Sequence, residues 1–422
     1  MEKEQKFFAF SFKKEDSSFL KKRSKRLLSV LFRLMRRAVD IVSVVLLAAL
    51  PLVGLLLGPI YAALAWVLGG LRLVGALALR REAPVLDWTL AVLAAGFSLA
   101  CLMGALWSIV PAHTLGETGQ LAAILAASLV VIADRSMPSA LASRVFGAFT
   151  IALIAGVAIL VTDHVLHYWL ERHLTGKAEI PGTKYNRGED YLTLLMWPSL
   201  AYWWLSRRKI YAALVVGAVC VAAIFGLSTT ARVILPASFA TFLAASLAAR
   251  RTRRVMALAV VAMAATLPFL LRMLARDRAL LWHHVKESGL HRLEIWDYMT
   301  ARVLERPLAG WGLGAAKYVP IRPAEQASYV FVKPSGIYPH QQWLQLWLET
   351  GAAGVLLGTL FALLVLHRIG RLPPRQVPFA LATFTAAIVL SFSSFEITTD
   401  SWWAALALTT LLFRLAAGAV AP

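Results

Sequence analysis

The sequence has few charged residues and almost no cysteine. Asp, Glu, Lys and Arg make up 16% of its 422 residues, whereas about a quarter of a soluble globular protein is charged. This composition excludes a disordered chain and an ordinary cytosolic enzyme. The two cysteines, Cys101 and Cys220, both lie in apolar runs. Their small number excludes a disulfide-built secreted scaffold and a cysteine-rich zinc site.

Apolar residues, in contrast, make up 59% of the chain and are arranged in long runs. Runs of about 14–22 residues recur, near the length that a hydrocarbon core of ~30 Å requires. We therefore predict an all-α integral membrane protein with about twelve transmembrane helices, of which the first two could form one kinked pair around Gly58-Pro59. The predicted spans are Asp40–Leu57, Ile60–Leu79, Trp88–Trp107, Thr118–Ala133, Val145–Leu166, Tyr191–Leu205, Tyr211–Leu227, Val233–Ala249, Val255–Leu271, Ala353–Leu366, Val377–Phe392 and Ser401–Leu415.

The net charge of +20 is distributed over the loops between these runs. Because it forms no single patch, we exclude nucleic acid as a partner. Five short loops on one side hold 14 Lys and Arg, and the four short loops on the other side hold only Arg232. The positive-inside rule then places both termini in the cytoplasm and the long loops, 167–190 and 272–352, on the opposite side of the membrane, called here the far side.

The N-terminal arm, residues 1–38, carries twelve Lys and Arg. It lacks the continuous apolar core of a cleavable signal. Two interpretations remain: a helix lying on the anionic inner leaflet, or a plain positive-inside anchor. The remaining chain divides into spans one to nine (39–271), a large far-side loop (272–352) and spans ten to twelve (353–422).

Arg232 stands out because it breaks the orientation rule. An arginine near the hydrocarbon boundary costs energy unless it snorkels to water or meets an anion. Simple snorkelling is one interpretation. The hydroxyls of Ser228, Thr229 and Thr230 favour the other, an anion site, because hydroxyls and a guanidinium together suit phosphate oxygens.

The large loop holds two further candidates. Arg292 begins a stretch with apolar residues at helical spacing, and it is either a solvated charge at a helix end or an anion ligand. His340 follows Pro339 and opens a second helical stretch. At a helix N-terminus the dipole favours a neutral imidazole, which suits a general base. A passive interfacial histidine is the alternative.

We predict no metal site. His283, His284 and His291 form no clean ligand pair on one helix face. The Asp-x-Asp clamp of many metal-dependent glycosyltransferases does not occur in the far-side loops, and the sequence contains no Walker loop.

Several of these elements resemble motifs of the bacterial O-antigen ligases. His340-Gln341, nine residues and then Gly351-Ala-Ala-Gly354 is similar to the His-[Asn/Ser/Gln]-x9-Gly signature of that family. The resemblance covers nearly the whole chain beyond the N-terminal arm. The other similar elements are Arg292-Leu-Glu-Ile-Trp296, Glu305 to Gly314, Ser228-Thr-Thr-Ala-Arg232 and Tyr185-Asn-Arg-Gly188.

The resemblance implies a glycosyltransferase-C-like architecture and transfer of glycan from undecaprenyl diphosphate to lipid A–core oligosaccharide. The transfer would take place at the periplasmic face of the bacterial inner membrane, with inversion and without a metal or cofactor. In that reaction Arg232 and Arg292 would clamp the donor diphosphate, and His340 would be the general base. Arg187, Asn186, Gln341 and Ser228 would bind substrate. Membrane lipids would surround the protein.

Three rivals remain at this point. An O-antigen polymerase shares the donor and differs in its acceptor, and a protein O-oligosaccharyltransferase would glycosylate periplasmic proteins. A lipid-linked glycan transporter would place ionisable residues at mid-membrane. The candidate residues here lie instead in loops on one side of the membrane.

Overall fold

The computed structural model describes residues 2–78, 85–133, 139–177, 179–181, 183–276, 287–326 and 338–420. These residues form an all-α membrane protein: helices account for the regular structure in them, and the described part contains no strand. Six helices are long and apolar enough to cross a bilayer, and four shorter apolar helices accompany them. The predicted fold class is therefore confirmed.

Fourteen α-helices, numbered here in chain order, are found in the described residues. They are α1 (Glu2–Leu56), α2 (Ile60–Ala78), α3 (Trp88–Gly104), α4 (Pro111–Ala133), α5 (Ala142–Val165), α6 (Trp169–Thr175), α7 (Asn186–Leu205), α8 (Lys209–Phe225), α9 (Thr229–Arg276), α10 (Glu287–Glu305), α11 (Pro323–Gln326), α12 (Gln342–Ile369), α13 (Val377–Ser393) and α14 (Asp400–Val420). Short 3₁₀ turns occupy Ser139–Leu141 and Ala315–Tyr318.

The helices follow the predicted spans, with three differences. The basic arm continues into the first span as one helix, α1, whereas the first two spans are separate helices joined by a turn at residues 57–59. Spans eight and nine are merged in α9, whose backbone becomes non-helical at Ala248. Helices α7 and α12 begin at Asn186 and Gln342, inside the predicted loops, because polar residues continue a helix beyond its apolar run.

Helix α7 lies at the centre of the bundle. All its residues from Gly188 to Trp203 are buried, and it packs against α1, α8, α9, α13 and α14. A helix that is apolar all round in its middle is expected in such a position. The N-terminal end of α7 therefore forms a fixed platform. The loops of its neighbours at the same end of the bundle, called here the far end, are arranged around this platform.

Candidate active site

The platform begins with the Asn186-Arg187-Gly188-Glu189-Asp190 sequence of α7. Gly188 allows α1 to approach closely: a Cβ at this position would lie 2.5 Å from the Cα of Leu55. Gly58, in the turn after α1, lies against the side chain of Arg187. The end of α1 thus fixes the first turn of α7 and holds Arg187 at the exposed mouth of the bundle.

Asp190 ties the far ends of three helices together. Its Oδ1 accepts a 2.6 Å hydrogen bond from the hydroxyl of Ser228, just before α9, and its Oδ2 accepts one of 2.6 Å from Ser394, just after α13. It precedes the apolar part of α7, and burial raises its pKa to about 6, against the lowering effects of the two serines, Arg292 and Arg187. Asp190 is therefore a buried carboxylate beside two arginines.

Glu189 holds the turn between α8 and α9. Its carboxylate accepts a 3.1 Å hydrogen bond from the backbone N–H of Ser228. Burial raises the pKa of Glu189 to about 7, while the backbone hydrogen bonds from Ser228 and Leu227 and the charge of Arg232 lower it. The turn that carries Ser228 is thus fixed to α7 by both acidic residues.

Arg187 and Arg292 converge on Asp190 and His340. The charge of each lowers the pKa of both groups. Arg187 is exposed and Arg292 is half-buried. Over the described residues, neither guanidinium makes a hydrogen bond or salt bridge. Two guanidinium forks at one mouth, with their donors uncommitted, can bind an anion with several oxygens, such as a phosphate.

His340 lies two residues before α12, which begins at Gln342, and so precedes the helix that it was predicted to open. Its backbone has φ +48°, in the left-handed region that is rare for a residue with a side chain. The carbonyl of the preceding Pro339 accepts a 2.8 Å hydrogen bond from Nε1 of Trp296, on α10. Helix α10 thus fixes the bend that holds His340.

The surroundings of His340 favour its neutral imidazole over the charged form. Burial lowers its pKa below the usual 6.5, and the charges of Arg292, His291 and Arg187 lower it further. A neutral imidazole can accept a proton, so it can act as a general base. Arg292 lies in the second turn of α10, which begins at Glu287, and not at a helix start as the sequence predicts.

Arg232 lies at the same end of the bundle but is engaged elsewhere. Its Nε donates to the carbonyl of Ala223 at 3.0 Å, and its Nη2 donates to the carbonyl of Gly226 at 2.6 Å. These carbonyls lie at the C-terminal end of α8 and have no partner within the helix. The guanidinium therefore caps α8, and its charge lowers the pKa of Glu189. Its diphosphate-binding role stays a prediction.

The predicted substrate-binding residues have mixed positions. Ser228 is buried and caps α9, since its hydroxyl accepts a hydrogen bond from the N–H of Ala231 at 3.1 Å. Gln341 is buried and caps α12 through a hydrogen bond from the N–H of Leu344. Asn186 is the first residue of α7, and its side-chain oxygen is buried without a hydrogen bond in the described residues. Their binding roles stay predictions.

Comparison with known proteins supports the same family. Residues 191–359, about two fifths of the chain, match the model of the family described as O-Antigen ligase. The resemblance drawn from the sequence motifs is thereby confirmed, and the matched range includes Ser228, Arg232, Arg292 and His340.

Two relatives show how far the similarity extends. A protein of Rickettsia felis named "Putative polysaccharide ligase" is 21% identical over 73% of this chain and 75% of its own length. A protein of the same description from Rickettsia conorii is 29% identical over 28% of this chain. That alignment spans only 29% of the Rickettsia conorii protein. These matches support an O-antigen-ligase-type function, and hence a glycosyl-transferring enzyme in a multi-pass membrane protein.

The structure explains the first glycine of the O-antigen ligase signature. Helix α12 breaks at Gly351, where φ is +61° and ψ is −159°. A Cβ at this position would lie 2.4 Å from the carbonyl oxygen of Leu308. The loop after α10 inserts into the break, and the N–H of Ala352 donates to the carbonyl of Pro307 at 2.9 Å. The signature thus joins the His340 segment to the loop that follows Arg292.

Sequence reasoning missed the acidic residues of the site. Glu189 and Asp190 follow Arg187 directly and precede a long apolar run, so two adjacent carboxylates at a span boundary were the available signal. It also left Asp163 unassigned. Its carboxylate accepts hydrogen bonds from the hydroxyl of Tyr185 at 2.7 Å and the N–H of Leu170 at 2.6 Å, and so anchors the loop before Arg187.

The metal prediction is only partly covered by the structure. His283 and His284 lie outside the described residues. Within the described ranges, no group of three or more His, Cys, Asp and Glu residues has an arrangement that could hold a metal ion.

Proposed function

We propose that the protein transfers a glycan from undecaprenyl diphosphate to lipid A–core oligosaccharide. The observation that carries this proposal is the convergence of Arg187 and Arg292 on His340. Neither guanidinium makes a hydrogen bond in the described residues, and the charges of both lower the pKa of His340. An acid–base group beside an anion site is the minimum that a glycosyl diphosphate donor requires.

The leaving group determines what the arginines must do. Diphosphate leaves readily, so its departure requires stabilisation of the charge that grows on its oxygens and no general acid. Arg187 and Arg292 supply positive charge that stabilises the negative charge on these oxygens. Their planar guanidinium groups fit phosphate oxygens in a bidentate manner. Arg232 would have to release the carbonyls of Ala223 and Gly226 to join them. We therefore assign the clamp first to Arg187 and Arg292.

His340 activates the acceptor. The acceptor hydroxyl oxygen attacks the anomeric carbon as the bond from that carbon to the diphosphate oxygen breaks on the opposite face. The hydroxyl proton passes to His340, and undecaprenyl diphosphate leaves with the electron pair. This single displacement inverts the anomeric configuration. General base catalysis of this kind contributes about 10²–10⁴-fold.

The cellular location follows from the loop charges. Arginine-rich short loops face the cytoplasm under the positive-inside rule, so the opposite end of the bundle, with Arg187 and His340, opens to the periplasm. Both termini then lie in the cytoplasm, and the protein lies in the inner membrane. The lipid-linked donor and the lipid A–core acceptor are both amphiphiles that can reach such a mouth.

A reconstituted assay tests the proposal. Purified protein in proteoliposomes is given lipid-linked glycan and rough lipopolysaccharide, with and without a chelator. We expect glycosylated lipopolysaccharide under both conditions, because the arginines supply the positive charge. A strict requirement for Mg²⁺ or Mn²⁺ would contradict the arginine clamp, and uptake of donor without transfer would indicate a transporter.

A deletion strain separates the ligase from the polymerase. A strain lacking the gene should accumulate free lipid-linked polymer if the protein is a ligase, and single lipid-linked repeat units if it is a polymerase. Loss of glycan from pilin or other periplasmic proteins would instead indicate a protein O-oligosaccharyltransferase.

A further inference from the structure

A second polar cluster lies at the N-terminal end of α4. The Nε2 atom of His113 lies 3.5 Å from Oε1 of Glu117, and the ring of Tyr318 meets the His113 ring edge-on with 5.3 Å between centroids. The ammonium of Lys317 lies 4.2 Å from the ring centroid of Tyr338. We call these five residues and Glu396 the His113 cluster.

The cluster is built by the loop after α10. Gly314 packs directly against the side chains of His113 and Glu117. The 3₁₀ turn that follows is held to α12, since the N–H of Ala316 donates to Oε1 of buried Glu349 at 3.2 Å. The positions of Lys317 and Tyr318 are thus set by the same loop that inserts into the break of α12.

Glu396 connects this cluster to the catalytic residues. It lies in the loop between α13 and α14. On one side of it Ser394 donates to Asp190, and on the other the N–H of Ile397 donates to Oε1 of Gln345, on α12, at 2.9 Å. Burial raises the pKa of Glu396 to about 7, the charges of Arg187 and Lys317 lower it, and Glu117 raises it. Glu396 therefore lies within electrostatic reach of both groups.

The chemistry of the cluster differs from that of the diphosphate clamp. Glu117 and Glu396 would repel a diphosphate, so the charged part of the donor does not belong among them. Carboxylates accept strong hydrogen bonds from hydroxyl groups, and aromatic rings such as those of Tyr318 and Tyr338 pack on apolar faces. The carboxylate of Glu396 makes no hydrogen bond in the described residues. This combination suits a sugar.

We propose that the His113 cluster binds the saccharide of the acceptor, with Glu396 accepting hydrogen bonds from its hydroxyl groups. The inference rests on the proposed function and extends it. The donor diphosphate lies on Arg187 and Arg292, and the acceptor approaches from the α4 side. Tyr318, which is 49% exposed, supplies the outer surface of the site.

Steady-state kinetics with Glu396→Gln test the assignment. The variant keeps the shape of the side chain and weakens its hydrogen bonds, so we expect the KM for rough lipopolysaccharide to rise about tenfold or more while the KM for the lipid-linked donor stays unchanged. Tyr318→Ala should act in the same direction. The matched control is Glu179→Gln, which removes the same charge from an exposed loop at the same end. An unchanged acceptor KM in both variants, or an equal rise in the control, would overturn the proposal.

A binding measurement separates this proposal from the proposed function. Core oligosaccharide freed of lipid A is titrated onto His340→Asn protein in nanodiscs, with and without Glu396→Gln. We expect binding of the saccharide alone and a weakening of about tenfold by Glu396→Gln. Binding that requires lipid A, or that ignores the variant, would overturn the acceptor site. Failure of the wild-type protein to transfer glycan would overturn the proposed function. The binding measurement would still test whether the His113 cluster binds a saccharide.

Discussion

The hydroxyl of Ser228 donates a 2.6 Å hydrogen bond to Oδ1 of Asp190, and so joins the turn before α9 to the central helix. Ser394 makes the matching bond to the other carboxylate oxygen from the end of α13. The ends of α7, α9 and α13 therefore meet at one buried carboxylate. This connection sets the spacing of the loops that surround Arg187 and Arg292, because each loop is short and each anchor is rigid.

Asp190→Ala should destabilise the protein, because it leaves the hydroxyls of Ser228 and Ser394 without their acceptor in a buried position. The expected cost is about 1–3 kcal/mol. Asp190→Asn should cost less, since an amide oxygen can still accept one bond. We expect the thermal midpoint in detergent to decrease in the order wild type, Asp190→Asn, Asp190→Ala. Glu179→Gln is the control. Equal midpoints for all four proteins would show that the three ends do not depend on Asp190.

The bundle and part of the site could be predicted because their signals are local. Apolar run length defines a span, and His340 and Gly351 lie in one continuous motif. The anchoring of Asp190 could not be predicted, since Ser228 and Ser394 are 38 and 204 residues away from it in sequence. The contacts of Arg232 could not be predicted for a related reason: its acceptors are the carbonyls of Ala223 and Gly226, and every residue of the sequence carries a carbonyl.

His340→Asn should abolish detectable transfer while the protein still accumulates in the membrane. Asparagine tolerates the left-handed backbone found at His340 better than most residues, so the fold is preserved and the general base is removed. We expect a loss of about 10²–10⁴-fold. Lipopolysaccharide ladders on gels, together with immunoblots of membranes, measure both properties. Normal ladders from this variant would retire His340 as the base.

The reaction rate should depend on pH through His340. Both kcat and kcat/KM should fall at acidic pH, and kcat should begin to fall at the higher pH. The base must be unprotonated, so activity falls as pH falls through its pKa. Burial and the charges of Arg292, His291 and Arg187 lower that pKa below 6.5 in the free enzyme, which kcat/KM reports. A bound diphosphate offsets the arginine charges and raises the pKa, so the acid limb of kcat should lie at higher pH. A kcat/KM limb above pH 6.5, or the reverse order, would contradict this assignment.

Arg292→Lys and Arg232→Lys should fail in different ways. A lysine at position 292 keeps the charge but cannot contact a phosphate through two parallel bonds, so we expect the donor KM to rise roughly tenfold with an unchanged thermal midpoint. A lysine at 232 cannot reach both Ala223 and Gly226 as the guanidinium does. Its main effect should be a lower thermal midpoint. A donor KM that rises equally in both variants would return Arg232 to the clamp.

Gly351→Ala should prevent correct folding of the far end. The φ and ψ of Gly351 lie in a region that only glycine occupies readily, and a side chain there costs about 1–3 kcal/mol in strain. The new Cβ would also lie 2.4 Å from the carbonyl oxygen of Leu308 and 2.8 Å from the nitrogen of Ala309. Both are backbone atoms, so they cannot move aside without displacing the inserted loop. That loop follows Arg292 and carries Lys317, and its displacement should remove activity as well as stability.

The matched control for this variant is Gly217→Ala, in α8, where a Cβ meets no atom within 4 Å. Fluorescence-detected size-exclusion chromatography of tagged proteins should show a monodisperse peak for Gly217→Ala and a reduced or aggregated peak for Gly351→Ala. Since alanine favours a helix over glycine by about 1 kcal/mol, the control should be at least as stable as the wild type. A Gly351→Ala protein with the wild-type profile and full transfer would mean that α12 continues through this position unbroken, and that the signature glycine has a role other than admitting the loop.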